Sequence, residues 1–233
     1  MNIFDRTNAF GWMIGIAMSL VSFAANAEQM TKAAAGVTRV VFNSVGELSV
    51  KPGTDEKVVV EAEQKVLDKL DVSVKGDTLV LSTKGSFKTD KGIRYTVTLK
   101  SFRGLKTDAN SSGNSAVEGF SGADADIELG GSGDVGLKNL KFGKLAIVLK
   151  SSGNVEASGS GKTVTARIDG SGNIDASNYA AQIVEAKVDG AGNIKVHADE
   201  SLKAAIGGAG SIGYKGKAKV TQTITGAGNV ERI

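Results

Sequence analysis

A short turn related to Gly-Ser-Gly-Asn recurs again and again between residues 105 and 233 of this chain. The second glycine of the turn marks the repeat, with steps of 18 to 20 residues between copies: Gly113, Gly133, Gly153, Gly172, Gly192, Gly210 and Gly228. A period of this size, sustained over seven copies, indicates an architecture in which similar units stack on one another.

Apolar and polar residues alternate on both sides of each turn. In the fourth copy, for example, Val164, Ala166 and Ile168 are separated by polar residues. A spacing of two is the period of a β-strand with one buried face, not the period of a helix. Each copy is therefore predicted to form a strand of about six or seven residues, a turn and a second short strand. Ala109 in the first copy and Leu129 in the second each lie four residues before their turn glycine, so the two are expected at the same position in adjacent coils.

A single copy cannot bury its apolar face, but copies stacked about 4.8 Å apart bury it and complete one another's backbone hydrogen bonds. The predicted fold is all-β: a parallel β-helix, or solenoid, with about seven rungs of 18–20 residues, preceded by a less regular β region. Glycine suits the turn because it adopts positive φ without steric cost, and asparagine tolerates positive φ next best. The residues after the turn glycines are expected to form a side-chain ladder: Asn114, Asp134, Asn154, Asn173, Asn193, Ser211 and Asn229.

The sequence before the repeats divides into three segments. We assign residues 1–27 to a signal peptide, residues 28–36 to a flexible leader and residues 37–104 to an N-terminal β region, with the repetitive solenoid at 105–233. The N-terminal β region is expected to form either the first, wider coils or a small antiparallel cap, because an open end would expose unpaired strand edges. At the other end, Ile233 lies just beyond the last turn, which favours self-association through that end.

The first 27 residues have the pattern of a secretory signal. Arg6 precedes an apolar run from Phe10 to Ala24, and Ala25-Asn26-Ala27 supplies a small-residue cleavage site. The alternative interpretation is an uncleaved membrane anchor, but the run is short for a membrane span. We expect an exported protein of the periplasm or the outer cell surface of a bacterium, with no integral membrane span after cleavage. The chain has no cysteine, so burial and backbone hydrogen bonds must stabilise it without disulfides.

Several segments taken together resemble one family of bacterial envelope proteins. They are "FNSVGELSVKPGTDEKVVVEAE", the hairpin "KGDTLVLST", the entry "YTVTLKSFRGLKTDANSSGN" and the tandem Gly-Ser-Gly-Asn turns that follow. In their order they are similar to the family named "putative auto-transporter adhesin, head GIN domain", over roughly residues 37–233. The resemblance implies a right-handed β-helix, an exported location and an adhesin-like role, and it brings no catalytic or ligand-binding residues with it.

Two short motifs resemble ligand sites but lack their full patterns. "GSGKT", residues 159–163, resembles the end of a phosphate-binding loop, yet the required earlier glycine is replaced by Glu156 and a strand rather than a helix follows. "GGSGDV", residues 130–135, resembles a calcium-binding repeat, but Asp134 follows Gly133 too early and the period is about twenty rather than nine. We expect no cofactor and no metal site.

Candidate catalytic groups are equally sparse. His197 is the only histidine, and we expect it at the surface or at a corner. Asp169 and Asp189 occupy the same column one rung apart, and Asp175 lies across the turn. Enzymes that cleave polysaccharides use carboxylates on β-helices, but rungs of 18–20 residues leave no room for the long loops that build a cleft. We expect a solvated charged face and no catalytic site.

The predicted function is therefore a non-enzymatic, exported β-solenoid with an adhesin-like binding role in the cell envelope. Its partner would be an unknown surface, a glycan or an envelope protein. Nucleic acid is not expected, because lysine and arginine are scattered and the net charge is only +3. One alternative is a structural envelope protein that assembles as a homo-oligomer by stacking of solenoids, and a less favoured one is an enzyme acting on polysaccharides.

Overall fold

Nearly all regular structure in the described part of the chain is β-strand. A computed structural model of the chain describes residues 28–89 and 91–233, so the predicted signal peptide lies outside the described residues. The elements in chain order are β1 (Glu28–Ala33), β2 (Arg39–Asn43), β3 (Glu47–Pro52), β4 (Lys57–Ala62), α1 (Gln64–Leu67), β5 (Leu70–Lys75), β6 (Thr78–Thr83), β7 (Arg94–Leu99), β8 (Gly104–Thr107), β9 (Ser115–Glu118), β10 (Ser121–Leu129), β11 (Val135–Leu149), β12 (Asn154–Ile168), β13 (Asn173–Val188), β14 (Ile194–Ile206), β15 (Ser211–Lys215), β16 (Lys219–Ile224) and β17 (Asn229–Arg232).

The repeats form a parallel β-solenoid of about six turns, which confirms the fold prediction. Strands β10 to β14 pair in parallel with their neighbours, and β14 then pairs with both β15 and β16. The register places equivalent apolar residues over one another, as in the series Leu145, Val164, Val184 and Leu202. All four are buried, so the alternation in the sequence corresponds to an apolar bore inside the coils.

The strands of the solenoid are longer than the sequence predicts. Strands β11 and β12 contain 15 residues each and β13 contains 16, because the short strand after one turn continues into the strand before the next. The pairing register shifts where this happens, between Leu137 and Leu140 of β11 and between Glu156 and Ser158 of β12. A bulge of this kind bends a strand without ending its ladder of hydrogen bonds.

The first turn of the repeat is longer than its sequence spacing indicates. Leu105 pairs with Ile127 and Thr107 pairs with Leu129, so the placement of Ala109 level with Leu129 was wrong. Two extra residues enter this turn, which is closed by a hydrogen bond of 2.9 Å from the Ser111 backbone N–H to the Asp108 carbonyl. Counting back from the turn glycine failed here because it assumes a turn of constant length.

The N-terminal region contains both arrangements that the sequence left open. Strands β2 and β3 form a parallel coil that lies between β6 and β7 on one side and β8 and β9 on the other. Strands β1, β4 and β5 pair in antiparallel fashion with β4, β7 and β6 respectively. The order of the strands in the stack of coils therefore differs from their order along the chain.

Residues 28–36 are not a flexible leader throughout, because β1 pairs along its whole length with β4. The Lys32 ammonium also donates a 2.8 Å hydrogen bond to the Val72 carbonyl. Helix α1 connects β4 to β5 and buries Val66 and Leu67. The chain thus covers the N-terminal end of the apolar core. Within residues 28–89 and 91–233, no helix is long and apolar enough to cross a membrane.

Two tyrosines are fully buried, and each finds a partner for its hydroxyl group. The Tyr95 hydroxyl lies 2.7 Å from the Ser44 hydroxyl, and burial raises the pKa of Tyr95 to about 12. The Tyr179 hydroxyl accepts a 3.2 Å hydrogen bond from the Phe142 N–H and donates one of 3.2 Å to the Phe142 carbonyl. Burial also raises the pKa of Tyr179. Paired hydroxyls of this kind remove the cost of placing a polar group in an apolar core.

Candidate binding surface

The turn glycines form a column in which successive backbones touch. A Cβ atom added to any of the last six turn glycines would overlap the carbonyl oxygen of the turn glycine one coil earlier, and one added to Gly113, the first, would also overlap a glycine carbonyl oxygen. None of the seven has a positive φ, so the explanation from left-handed backbone was wrong. Glycine is required at this corner because adjacent coils approach too closely for any side chain. The column extends into the N-terminal region, because the oxygen that faces Gly113 belongs to Gly46.

The residues after the turn glycines lie together along one corner and bond from coil to coil. Asn154 donates through its backbone N–H (2.8 Å) and its Nδ2 (3.0 Å) to Oδ1 of Asp134. Asn193 donates to Asn173 Oδ1 in the same two ways, each at 3.1 Å. The other links run from Asp134 N–H to Asn114 Oδ1, from Asn173 Nδ2 to Asn154 Oδ1 and from Ser211 N–H to Asn193 Oδ1. Asn229 instead donates to Glu231 within its own coil.

One outer surface of the solenoid is crossed by ion pairs between coils. We call it the paired face, and it consists of the outward residues of the strands that precede each turn. Glu128 lies 3.2 Å from Lys106 and 3.0 Å from Lys150, and the hydrogen bond from Lys150 helps to hold the pKa of Glu128 below its usual value. Lys203 and Glu185 form a similar pair at 3.1 Å.

Asp169 and Asp189, the carboxylates considered as catalytic groups, lie on this paired face. Arg167 bridges them, with its Nε 2.7 Å from Asp169 and its second guanidinium nitrogen 3.0 Å from Asp189. Lys187 adds a contact of 2.8 Å to Asp189. The hydrogen bond to Asp169 raises the pKa of Arg167. The two carboxylates and the two cations therefore form a network of ion pairs on the surface.

The outward residues of the strands that follow each turn form a second surface, which we call the ladder face because it adjoins the ladder corner. Along its centre, Glu156, Asp175, Lys195, Gly213 and Glu231 occupy successive coils in register. The first three are half-buried. Within the described part of the chain, none of the four charged residues forms an ion pair, in contrast to the paired face.

A groove of about 450 Å³ opens on the ladder face, lined by these five residues together with the ladder residues Asn173, Asn193 and Ser211. Gly213 lies in register between Lys195 and Glu231, and the side chain of Ile233 packs over it. Ile233 also lines the groove, and its backbone N–H donates a 2.9 Å hydrogen bond to the Tyr214 carbonyl. The groove therefore combines three carboxylates, one ammonium group, two side-chain amides and three isoleucine side chains, those of Ile174, Ile194 and Ile233.

The other motifs lie elsewhere and are not brought together. The "GSGKT" segment, residues 159–163, lies inside β12, and its Gly161 leaves the space that the Tyr179 hydroxyl occupies. Asp134 belongs to the ladder corner. His197 is partly exposed, with its Nε2 3.2 Å from Asp199 Oδ1. Among residues 28–89 and 91–233, no group of three or more histidine or acidic side chains could hold a metal ion.

The groove was not predicted from the sequence. Asp175 was expected across the turn from Asp169 and Asp189, but Glu156, Lys195, Gly213 and Glu231 had no assigned role, and Ile233 was considered only for self-association. The sequence signal for the groove is weak, because it consists of one glycine, Gly213, in an outward-facing column where its neighbours in register are charged. Only the exact pairing of coils reveals that these residues share one face.

Comparison with known proteins now identifies the family. The family described as "Putative auto-transporter adhesin, head GIN domain" matches residues 37–218. The chain belongs to this family. The resemblance seen in the sequence is thereby confirmed, and the family is named for adhesins rather than for enzymes. No curated protein sequence is significantly similar to the chain.

Solved structures of similar proteins share the fold of this head GIN domain chain. A "putative adhesin" from Bacteroides fragilis is 26% identical, with a TM-score of 0.81, over 90% of this chain and 98% of that one. A "putative lipid binding protein" from Parabacteroides distasonis is 22% identical, with a TM-score of 0.72, over 90% and 97%. A "putative adhesin" from Parabacteroides merdae is 20% identical, with a TM-score of 0.67, over 90% and 97%. The last two show the fold alone.

Proposed function

We propose that this chain is an exported, non-enzymatic adhesin-like protein of the bacterial cell envelope that binds its partner through the ladder face. Membership of a family named for adhesins supports the adhesin-like role. The signal pattern at residues 1–27 supports export to the periplasm or the cell surface. The partner is an envelope protein, a glycan or another surface component.

The difference between the two charged faces carries this proposal. On the paired face, cations and carboxylates of neighbouring coils neutralise one another, so little charge is left for a partner. On the ladder face, Glu156, Asp175 and Lys195 are half-buried and have no ion-pair partner in the described residues. A half-buried charge gains more from a new partner than a fully solvated one, because the local dielectric is lower. All three line the groove, where a partner can reach them.

The same observations weigh against an enzyme acting on polysaccharides. The carboxylates best placed for such chemistry, Asp169 and Asp189, are both engaged by Arg167. The coils are joined by short turns rather than by the long loops that would build a cleft around a sugar chain. Stacked coils with flat outer faces suit a protein that binds to a surface.

Neutralising the ladder face is expected to weaken binding about tenfold or more, equivalent to at least about 1.4 kcal/mol of binding free energy. The variant combines Glu156→Gln, Asp175→Asn and Lys195→Gln, which remove charge; the first two also preserve side-chain shape. The matched control combines Glu185→Gln and Lys203→Gln on the paired face, which is expected to bind like the unaltered protein. Binding is measured to intact bacterial cells, to isolated envelope fragments and to a glycan array, with a thermal melt to verify folding.

Three results would count against the proposal. Unchanged binding by a folded triple variant would exclude the ladder face while leaving adhesion in place. An equal loss in the control variant would show that general surface charge, not this face, mediates binding. Absence of binding by the unaltered protein to all three targets would overturn the adhesin-like role itself.

A further inference from the structure

We propose that two copies of this chain join through the coil formed by β16 and β17, with each of these strands pairing in antiparallel fashion with its own counterpart about a two-fold axis. The interface would continue each sheet from one solenoid into the other. Self-association through this coil does not depend on which partner the ladder face binds.

The edge strands of this coil lack a partner within the described residues. Strand β16 pairs with β14 and β17 pairs with β15, each on one side only. The apolar bore is correspondingly open here: Ile224 is 38% exposed, and Val220 and Val230 are only half-buried. An unpaired, apolar-backed strand edge is a ready template for another strand.

The direction of the free backbone groups can be read from neighbouring hydrogen bonds. The Thr225 N–H donates to the Ile206 carbonyl at 2.9 Å, towards β14. Because backbone groups of alternate residues face opposite neighbours, the N–H and C=O groups of Val220, Gln222 and Ile224 face the free edge. On β17 the Ile233 N–H donates to Tyr214, so the groups of Val230 face the free edge in the same way.

Strand β16 is self-complementary about Gln222. Its sequence around that residue reads Val-Thr-Gln-Thr-Ile from 220 to 224. Antiparallel pairing centred on Gln222 places Val220 opposite Ile224 of the second copy, on the bore side, and Thr221 opposite Thr223 on the outer side. The two Gln222 side chains then face each other and can exchange amide hydrogen bonds. About six backbone hydrogen bonds would form between the two β16 strands.

A single two-fold axis satisfies both strands. Gln222 and Val230 lie in the two strands that flank the last turn, and the proposed axis passes through both residues. Pairing of β17 centred on Val230 places the Asn229 amide opposite the Glu231 carboxylate of the second copy. Lys219 lies opposite Thr225. No two like charges are therefore directly opposed, and the one carboxylate on these strands meets a donor.

The opposite end of the molecule does not offer a matching surface for open-ended stacking. There the chain crosses from β4 to β5 through α1, whose Val66 and Leu67 are buried. The edge strands there, β1 and β5, also pair on one side only, but nearly all residues of β1 are exposed, so this edge has no apolar face to bury against a second copy. The asymmetry favours a closed pair of copies over the stacked column considered from the sequence.

A charge exchange at the two-fold axis tests the proposal on the full chain. The unaltered protein is expected to reach the mass of two copies in light scattering as its concentration is raised about a hundredfold. Gln222→Glu and Gln222→Lys each place like charges against each other, so each alone is expected to weaken association about tenfold or more. An equal mixture of the two is expected to restore the mass of a pair. Thr165→Glu and Thr165→Lys, in the middle of the paired face, are the matched controls and should leave the mass unchanged.

A single cysteine gives an independent measurement, because the chain has none of its own. Directly opposed, hydrogen-bonded residues of antiparallel strands have Cα atoms about 5.5 Å apart, within the range that a disulfide spans. Gln222→Cys is therefore expected to form a covalent pair on mild oxidation, and Thr165→Cys is not. A mass of one copy at every concentration, masses that grow beyond two copies, or equal behaviour of the Gln222 and Thr165 variants would overturn the proposal.

Discussion

Replacing Gly172 by alanine is expected to lower the free energy of unfolding by about 3 kcal/mol or more, the upper part of the range for overpacked cores. Gly172 is buried, and the added methyl group would overlap the Gly153 carbonyl oxygen of the preceding coil. Backbone cannot yield as a flexible side chain does, so the two coils would have to separate at this corner. Chemical denaturation monitored by far-ultraviolet circular dichroism measures the change.

Two other glycines serve as matched controls because they separate crowding from backbone conformation. Gly92 has open space where a methyl group would lie and no positive φ, so Gly92→Ala is expected to change stability by less than about 1 kcal/mol. Gly76 also has open space but a φ of +62°, so Gly76→Ala should cost about 1–2 kcal/mol from conformation alone. If Gly172→Ala costs no more than Gly76→Ala, close contact between coils is not the reason for the glycine column.

Truncation of Tyr179 to alanine is expected to cost about 3–5 kcal/mol, the usual range for removing a large aromatic side chain from a core. Tyr179 lies in β13, and its hydroxyl passes the position of Gly161 in β12 to reach the backbone of Phe142 in β11. One side chain thereby ties three consecutive coils together. Denaturant melts of the variant measure the loss.

A second substitution separates the packing of Tyr179 from its hydrogen bonds. Tyr179→Phe keeps the ring and leaves the Phe142 N–H without the hydroxyl, which is expected to cost about 1–3 kcal/mol. The matched surface control is Lys162→Ala, on the exposed residue next to Gly161, which should change stability by less than about 0.5 kcal/mol. A Tyr179→Ala variant as stable as the Lys162→Ala variant would contradict the proposed tie between coils.

The repeating part of the fold could be predicted because each coil carries the same two local signals. Alternating apolar residues such as Val164, Ala166 and Ile168 fix the inward face, and the turn glycine fixes the corner. Because every coil carries the same signals, a misinterpreted copy does not change the predicted architecture. The reason for the glycine was nevertheless wrong, because a sequence does not report how closely two distant backbones approach.

The N-terminal coils could not be predicted in the same way. Gly46 takes the place of a turn glycine, but Glu47 follows it instead of asparagine, so the pattern is not visible. The coil of β2 and β3 also lies between strands that come later in the chain. Such an order depends on long-range pairing, which no local pattern encodes.

The candidate binding surface was accessible from the sequence only in part. The ladder residues from Asn114 to Asn229 were visible because they follow the turn glycines. The groove is lined by Lys195, Gly213 and Glu231 of three successive coils and by the Ile233 side chain that packs over Gly213. Which charges are paired and which are unpaired is set by side-chain geometry, so the contrast between the two faces required the structure.

The most direct test of the stacked, in-register coils is a set of distances between spin labels along one outward column. Asp126, Ala146 and Thr221 belong to one column, with Thr221 four coils from Ala146 and five from Asp126. With labels on cysteines at Thr221 and Ala146, and excess unlabelled chain present, the expected separation is about 19 Å from the strand spacing. Moving the second label to Asp126 should add about 4.8 Å, although the sequence separation grows by a whole repeat. A separation that does not increase by one strand spacing, or that changes irregularly between the two pairs, would contradict the solenoid.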